Sequence, residues 1–520
     1  MTIVKIESLI NITYSINEII CSPDGKQLVY STAPASSNME FISDYELYSL
    51  DLTKPLPLIP VRLTNNSAVE RNLKWANDGS IFFMVSAAGS IEGKYEDTQG
   101  RLYKINPNTR QIERWAHQFN GAITNYILLQ GGQEGVAFSG QLSTEVQIYT
   151  QRLANTELNR LNGWNGTYEN IVTSSSGKSS TVAFIHSSFE KPQEVYFIDQ
   201  IDQLNTAQQL TYENKLFTER NLPKGKAYRW TNKDDQTEIE GILVYPPDKF
   251  EEKNLPLFVL IHGGPNDADV NSFRPDWYYL APIMATEGWL VFQPNYRGST
   301  GYGDGFLQGV RFQIVSKPAK DILYGVDALI QDEIVDSKRL TIGGYSYGAY
   351  LTNWIITETT RFNAALSGAG ASEHVADWGL TDIPLTSVYM FGGFPWQVPH
   401  LYQGEAAIFR MNKVRTPTLI IVPSNDIRVA ASENFILERA LNSLNIPTKM
   451  IILPGESHIL GNNPWHEKIK VREEIKWLQK YGDICVSCNT TLNSASYSKQ
   501  TSIRLLSFIF LLTFYFFFSY

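Results

Sequence analysis

Residues 340–350 read LTIGGYSYGAY, and this stretch decides the fold of the second half of the chain. It begins as a short apolar strand and continues as a helix that runs to about residue 358. Between them lies a Gly-x-Ser-x-Gly turn made by Gly344, Ser346 and Gly348. A serine at the tip of such a turn stands clear of its own backbone, beside the amides of a helix N-terminus. The stretch predicts an α/β-hydrolase fold with Ser346 as the nucleophile. A glycine-rich turn without chemistry is the alternative that the pentapeptide alone leaves open.

Two later strand ends supply candidate partners for this serine. The apolar run 418–422 leads into a loop that contains Asp426, and the run 449–453 leads into a loop that contains His458. In this architecture the acid and the histidine follow the serine, each after a later strand. The imidazole takes the hydroxyl proton, and the carboxylate fixes its tautomer and stabilises the imidazolium. We therefore predict a catalytic triad of Ser346, Asp426 and His458.

An earlier strand end supplies candidate donors for an oxyanion hole. The apolar run 257–261 leads into His262-Gly263-Gly264-Pro265, whose glycines leave backbone amides open to a substrate. The amide of Tyr347, together with an amide of Gly263 or Gly264, would stabilise the oxyanion of an acyl-transfer reaction. His262 is predicted to be structural, because the nucleophile already has a base further along the chain.

Three motifs together resemble the prolyl oligopeptidase family of serine peptidases. They are HGGP at 262–265, NYRGSTGYG at 295–303 and the serine turn itself. Within the family, FGGFPW at 391–396 is similar to the acylaminoacyl-peptidase and fungal dipeptidyl-peptidase V branch. The resemblance covers residues 224–481 strongly and the N-terminal part by architecture. It implies a serine exopeptidase that releases dipeptides or acyl-amino acids from short peptides by way of an acyl-enzyme.

The N-terminal part carries a weak internal repeat. A strand-like segment with a central tyrosine recurs about every 50 residues, a period typical of β-propeller blades. The tyrosines are Tyr48, Tyr103, Tyr149 and Tyr196. A β-sandwich is the alternative; the resemblance favours a propeller that covers the active site and admits only short peptides. About four such units fit before Tyr212, so the predicted propeller has fewer blades than is usual in the family.

The organisation that follows has five parts. They are a propeller-like domain (1–213), a linker (214–226), an α/β-hydrolase domain with a mostly parallel sheet (227–482), a polar spacer (483–503) and a hydrophobic tail (504–520). The hydrolase would close with an amphipathic helix from His466 to Lys480 whose Ile469, Ile475 and Leu478 face the sheet.

Composition bounds the partners. The chain has 520 residues, too many for one ordinary core, and a net charge of −9 without a basic run, which argues against nucleic acid. Short peptides are the partners that the resemblance implies, and the oligomeric state is left open. Cys485 and Cys488 form a lone C-x-x-C pair that would need two further ligands to hold zinc. No metal and no cofactor is predicted.

The two ends of the chain give different indications of the cellular location. Small residues at 493–496, a polar spacer and an uncharged apolar run after Arg504 form the pattern of a GPI-attachment signal, with a tail anchor as the alternative. We therefore expect a membrane-associated, cell-surface or secretory protein. Residues 1–22 carry no readable signal peptide, which leaves a cytoplasmic location open. The economical expectation is that the natural N-terminus, with its signal and further blades, lies upstream of Met1.

Three functions are consistent with these residues. The first is a serine exopeptidase acting on short peptides, and the second is a carboxylesterase on the same scaffold. The third is a surface interaction protein whose hydrolase is catalytically impaired. The complete set of triad residues weighs against the third function, and the propeller repeat weighs against the second, because an esterase does not need a gate of peptide size.

Overall fold

A computed structural model describes residues 9–10, 14–33, 46–65, 69–86, 98–129, 134–174 and 181–482. The predicted spacer, the hydrophobic tail and the Cys485–Cys488 pair lie outside these residues. Within the described ranges, no helix is long and apolar enough to cross a membrane. The membrane anchor and the cellular location therefore stay predictions.

Short antiparallel strands build the N-terminal part. They are β1 (Ser15–Cys21), β2 (Gln27–Ala33), β3 (Leu47–Asp51), β4 (Val61–Arg62), β5 (Val69–Trp75), β6 (Ile81–Ser86), β7 (Arg101–Ile105), β8 (Ile112–Trp115), β9 (Ala122–Leu128), β10 (Val136–Leu142), β11 (Glu145–Gln151), β12 (Asn159–Arg160), β13 (Thr167–Thr173), β14 (Val182–Ser188), β15 (Lys191–Ile198) and β16 (Gln208–Gln209). Hydrogen bonds join β1–β4 and β5–β8 into two four-stranded sheets and β9–β16 into one eight-stranded sheet, which divides into the units β9–β12 and β13–β16. One parallel contact, between Val146 and Thr167, joins the last two units.

The tyrosine repeat marks the third strand of every unit. Each tyrosine lies opposite an aromatic residue of the second strand, and the two rings stack with centroids 5.4–5.9 Å apart. The pairs are Tyr48–Tyr30, Tyr103–Phe83, Tyr149–Phe138 and Tyr196–Phe184. Cross-strand aromatic pairs stabilise a sheet, which explains why this position repeats. The propeller-like prediction is confirmed, and the described residues form four such units.

The C-terminal part is a mixed sheet flanked by helices. Its strands are β17 (Lys224–Thr231), β18 (Glu238–Tyr245), β19 (Leu255–Ile261), β20 (Leu290–Asn295), β21 (Val335–Tyr345), β22 (Ala364–Gly368), β23 (Thr418–Pro423) and β24 (Thr448–Leu453). Its helices are α1 (Lys215–Thr218), α2 (Ala281–Thr286), α3 (Asp304–Gln308), α4 (Ser316–Gln331), α5 (Tyr347–Glu358), α6 (His374–Leu380), α7 (Pro384–Phe391), α8 (Pro399–Gly404), α9 (Ala431–Ser443) and α10 (Pro464–Tyr481). Two 3-10 helices cover Ile201–Thr206 and Ala407–Lys413.

The strand order β17-β18-β20-β19-β21-β22-β23-β24 is that of an α/β hydrolase, as predicted. The strands from β19 onward are parallel, whereas β17 and β18 are antiparallel at one edge. The central strands β19, β20, β22 and β23 are buried along their whole length, because helices cover both faces of the sheet.

The predicted linker 214–226 needs a correction at its C-terminal end. The sheet already begins at Lys224, which pairs with Tyr245 in the β17–β18 register. This strand looks polar in the sequence because it is an exposed edge strand, where charged side chains are common. Hydrogen bonding rather than hydrophobicity sets the boundary here.

The propeller-like units contact the NYRGSTGYG loop that follows β20. The Gly301 amide donates to Oε1 of Gln99 at 2.9 Å, the Thr300 hydroxyl donates to Oε1 of Gln141 at 2.8 Å, and the Ser143 amide donates to the Gly301 carbonyl at 2.9 Å. Because this loop leaves the carboxyl end of a sheet strand, these contacts place the propeller-like units over the edge where Ser346 also lies.

A buried ion pair fixes the same loop to the hydrolase core. Arg297 donates to Asp321 of α4 from Nε at 2.9 Å, from Nη2 at 2.5 Å and from its main-chain amide at 3.0 Å. Asn232 donates a further hydrogen bond of 2.6 Å to this carboxylate. The Arg297 and Asp321 side chains are only 6% and 0% exposed. The arginine of the motif is therefore structural.

Replacing Asp321 by asparagine should lower the free energy of unfolding of the hydrolase domain by about 3 kcal/mol, because it leaves a buried guanidinium without its main counter-charge. Asp327→Asn on the same helix is the matched control, since Asp327 is 45% exposed where it pairs with Arg361. The control should lose about 1 kcal/mol or less. Urea unfolding curves measure both variants, and equal losses would contradict a special role for the buried pair.

Candidate active site

Ser346 occupies a strained turn between β21 and α5. Its φ of 57° and ψ of −127° lie in a region that residues with side chains rarely adopt. A Cβ atom on Gly344 would lie 2.6 Å from the Ile261 carbonyl oxygen, and one on Gly348 would collide with the same atom. The two glycines are required because the end of β19 passes directly beside the turn. The serine is thereby presented at the carboxyl edge of the sheet.

The structure brings the three predicted triad residues into one hydrogen-bonded chain. Nδ1 of His458 lies 2.7 Å from Oδ2 of Asp426, and Nε2 of His458 lies 2.8 Å from Oγ of Ser346. Oδ1 of Asp426 accepts the amides of Arg428 and Val429, both at 2.9 Å. With Nδ1–H donated to the buried carboxylate, Nε2 can accept the serine proton. This is the geometry of an activated nucleophile.

The loop that carries His458 is held from two sides. The carbonyl oxygen of His458 accepts a hydrogen bond of 2.8 Å from the hydroxyl of Tyr345, which is the residue directly before the serine. On the other side, buried Glu456 accepts hydrogen bonds from the amides of residues 461–463, directly before α10, and contacts Nδ1 of His466 at 2.7 Å. Sequence reasoning assigned no role to either residue, because Tyr345 occupies a variable position of the serine motif and Glu456 belongs to no motif.

The amides that are predicted to be oxyanion donors have different surroundings. The Tyr347 amide stands at the first residue of α5, where a helix amide has no partner within the helix. The Gly263 amide instead donates to the hydroxyl oxygen of Tyr278 at 3.0 Å. A Cβ atom on Gly263 would lie 2.6 Å from that oxygen and 3.5 Å from Cβ of Ser346, so the hydroxyl lies beside the serine.

The Gly263 amide is thus engaged with Tyr278 in this structure. Gly263 and Gly264 both stay predicted oxyanion donors, and the Tyr278 hydroxyl is a further candidate. Burial raises the pKa of Tyr278 well above its usual value, so the hydroxyl keeps its proton and can donate it. In the sequence, Tyr278 is only one of two adjacent tyrosines in a loop, and no local pattern marks it.

His262 is buried beside this site without joining the triad. Its Nε2 lies 3.0 Å from the Ser299 hydroxyl, and its ring stacks on Tyr296 with centroids 4.4 Å apart. Burial lowers the pKa of His262 to about 4, so the ring is neutral at physiological pH. These contacts agree with a structural role that fixes the glycine loop.

A buried acidic cluster lies behind the aspartate loop. Tyr350 of α5 donates a hydrogen bond of 2.8 Å to Asp377. Burial, and after it the nearby carboxylates Glu373 and Asp426, raise the pKa of Asp377 to about 7. Burial, with Asp377 and Glu373, raises the pKa of Glu433 to about 8. Across the described residues, no three His, Cys, Asp or Glu side chains are grouped so that they could hold a metal ion.

These raised pKa values make the fold less stable as the pH rises. Between the ordinary carboxyl pKa and the raised value, the folded state binds more protons than the unfolded state, so stability falls from about pH 5 to pH 8. Glu433→Gln should therefore raise the melting temperature by several degrees at pH 8 and have little effect near pH 4. Glu438→Gln on the same helix is the control. A shift of equal size at both pH values would contradict the assignment.

The fold and these contacts define a class of protein. It is an α/β hydrolase with a Ser–His–Asp hydrogen-bonded chain and a propeller-like domain over the sheet edge that carries the serine. Residues 275–484 match the sequence profile described as Prolyl oligopeptidase family. The resemblance that the motifs predict is thereby confirmed over this segment.

Individual relatives agree with this assignment. The chain is 30% identical over 254 residues to dipeptidyl-peptidase 5 of Schizosaccharomyces pombe, a match that covers 48% of this chain and 36% of that protein. It is 31% identical over 253 residues to the acylamino-acid-releasing enzyme of Arabidopsis thaliana, which covers 47% of this chain and 32% of that protein. The match thus spans about a third of each relative.

Solved structures show the same fold over most of the chain. The acylaminoacyl peptidase of Pyrococcus horikoshii superposes with a TM-score of 0.74 at 20% identity, covering 90% of this chain and 70% of that one. The superposition extends well beyond the segment matched by sequence, so the propeller-like domain is part of the shared architecture.

Proposed function

We propose that the chain is a serine peptidase that hydrolyses short peptides through an acyl-enzyme, as an exopeptidase of the dipeptidyl-peptidase V or acylaminoacyl-peptidase type. The observation that carries the proposal is the unbroken hydrogen-bonded chain from Asp426 through His458 to Ser346. The names of the relatives in both branches support the same substrate class.

In the proposed mechanism, Ser346 attacks the scissile carbonyl carbon while Nε2 of His458 takes the hydroxyl proton. The buried carboxylate of Asp426 stabilises the imidazolium that forms. The imidazolium then protonates the leaving amine, and the C–N bond breaks to give the acyl-enzyme and a shortened peptide. Water, deprotonated by the same histidine, hydrolyses the ester and restores the serine.

The oxyanion of each tetrahedral intermediate would accept two hydrogen bonds, one from the Tyr347 amide and one from the Tyr278 hydroxyl. Because Gly263 donates to the oxygen of Tyr278, that hydroxyl is oriented to give its own proton to the substrate. A donor fixed in advance stabilises the charge that develops in the transition state without reorganisation.

Two features support short peptides with an apolar residue at the cleavage site. The propeller-like units lie over the sheet edge that carries the serine, which restricts the size of what can enter. Ile427 and Ile459, each next to a triad residue, expose 66% and 54% of their surface and offer apolar contacts there.

The test uses three chromogenic substrate classes, namely dipeptidyl amides, acetyl-aminoacyl amides and simple esters, with a serine-reactive fluorophosphonate as active-site label. We expect turnover of at least one amide class and labelling at Ser346. Turnover of esters alone would favour the carboxylesterase. Neither turnover nor labelling would favour a catalytically impaired interaction protein.

A further inference from the structure

A buried ion pair lies behind the nucleophile turn. Lys470 and Glu474, one turn apart on α10, are only 2% and 3% exposed. Nζ of Lys470 lies 2.8 Å from each carboxylate oxygen of Glu474. Burying two charges is costly, and such pairs persist where their remaining hydrogen-bonding capacity is also used. For Lys470, the important contact is the one made by its third N–H group.

That third contact reaches the turn that carries Tyr278. Nζ of Lys470 donates to the carbonyl oxygen of Trp277 at 3.0 Å. The ammonium also lies 5.6 Å from the ring centroids of both Trp277 and Tyr345, where cation–π attraction holds it. The Trp277 and Tyr345 rings meet edge to face at 5.1 Å. One buried cation therefore contacts both residues that adjoin the reacting groups, Trp277 before Tyr278 and Tyr345 before Ser346.

The turn itself is shaped locally by Asp276, whose Oδ1 accepts the amides of Tyr278 and Tyr279 at 2.7 and 2.8 Å. These bonds fix the conformation of the turn and do not fix its place on the hydrolase core. A cavity of about 20 Å³ is lined by both Tyr278 and Lys470. The hydrogen bond from Lys470 to the Trp277 carbonyl links the turn to α10.

We propose that Lys470 and Glu474 are positioning residues for the oxyanion hole. The ammonium fixes the Trp277 carbonyl and thereby the place of the Tyr278 hydroxyl beside Ser346, and Glu474 holds the ammonium in place. Neither side chain touches the substrate. The inference rests on the proposed function and adds a requirement that the triad alone does not have.

A double-mutant cycle tests this coupling. Lys470→Met, which keeps the length of the side chain and removes the charge, should lower kcat by about 10- to 100-fold, as a displaced reacting group does, and change KM by less than about threefold. In a Tyr278→Phe background the same substitution should lower kcat by less than about threefold, because the hydroxyl that Lys470 positions is already absent. Equal factors in the two backgrounds would overturn the proposal.

Lys476→Met is the matched control, because Lys476 pairs with Glu473 on the same helix and its side chain is 60% exposed. It should leave kcat unchanged. Lys470→Arg, which keeps the charge, should recover part of the loss. If Lys470→Met does not fold, Glu474→Gln takes its place in the cycle, with the same non-additivity expected.

A readout without turnover separates this proposal from the proposed function. Hydrogen exchange of the Gly263 amide, which donates to the Tyr278 hydroxyl, should accelerate in Lys470→Met and not in Lys476→Met, whether or not the protein turns over a peptide. Turnover that is equal in wild type and Ser346→Ala would defeat the proposed function. Unchanged exchange at the Gly263 amide would defeat the positioning role.

Discussion

Replacement of Ser346 by alanine is expected to lower kcat by about 10⁵- to 10⁶-fold on the best amide substrate, the size of effect seen when a triad nucleophile is removed. The structure gives the reason, since Oγ of Ser346 is the atom that Nε2 of His458 contacts at 2.8 Å. Without it, no acyl-enzyme can form, and fluorophosphonate labelling should disappear together with turnover.

The same chain of contacts predicts that the losses do not add. His458→Ala should lower kcat about as much as Ser346→Ala does, and the double variant should lower it no further. The reason is that the residues act as one catalytic unit, so removing either one abolishes the contribution of both. Initial rates at saturating substrate measure this, with melting temperatures as the check on folding. Ser443→Ala and His400→Ala, at exposed positions, are the controls. Wild-type turnover in either triad variant would refute the triad.

The parts of the fold and the site that sequence could predict are those encoded in neighbouring residues. The turn at Ser346 is a strand, a glycine pair and a helix in immediate succession, so one stretch specifies it. Asp426 and His458 could be placed because carboxyl ends of parallel strands share an edge. The tyrosine repeat could be detected in the sequence because each unit uses a similar aromatic pair between its second and third strands.

The parts that sequence could not predict depend on segments that meet only in three dimensions. Tyr278 gains its proposed role because its loop folds back onto Gly263, and no periodicity or spacing in the sequence predicts that contact. The closing helix shows the limit of hydrophobic patterns. The three residues predicted to face the sheet do so, since Leu478 is buried in the core cluster and Ile469 and Ile475 pack against it. Lys470 and Glu474 are buried beside them, and a pattern that counts charged residues as exposed misses this ion pair.

Tyr278→Phe is the second large effect, with an expected loss in kcat of about 10²- to 10³-fold, as for removal of one oxyanion donor. We expect the lower end of that range. Loss of the hydroxyl releases the Gly263 amide, which now donates to it, and that amide can then serve as a weaker substitute donor. KM should change little, because the ground-state carbonyl gains less from this donor than the oxyanion does.

Tyr279→Phe is the matched control, since it removes a hydroxyl from the next residue of the same turn and should leave kcat within about threefold of wild type. Steady-state kinetics on one amide and one ester substrate measure both variants. A role in the oxyanion hole requires a loss on both substrates, because both pass through a tetrahedral intermediate with the same charge. A rise in KM at unchanged kcat would instead assign Tyr278 to substrate binding.

The buried hydroxyl should also keep donating across the working pH range, because burial raises the pKa of Tyr278 well above its usual value. The ratio of wild-type to Tyr278→Phe activity should therefore stay constant from pH 6 to pH 9, whereas a ratio that falls toward high pH would show that the hydroxyl ionises and is not the donor inferred from the geometry.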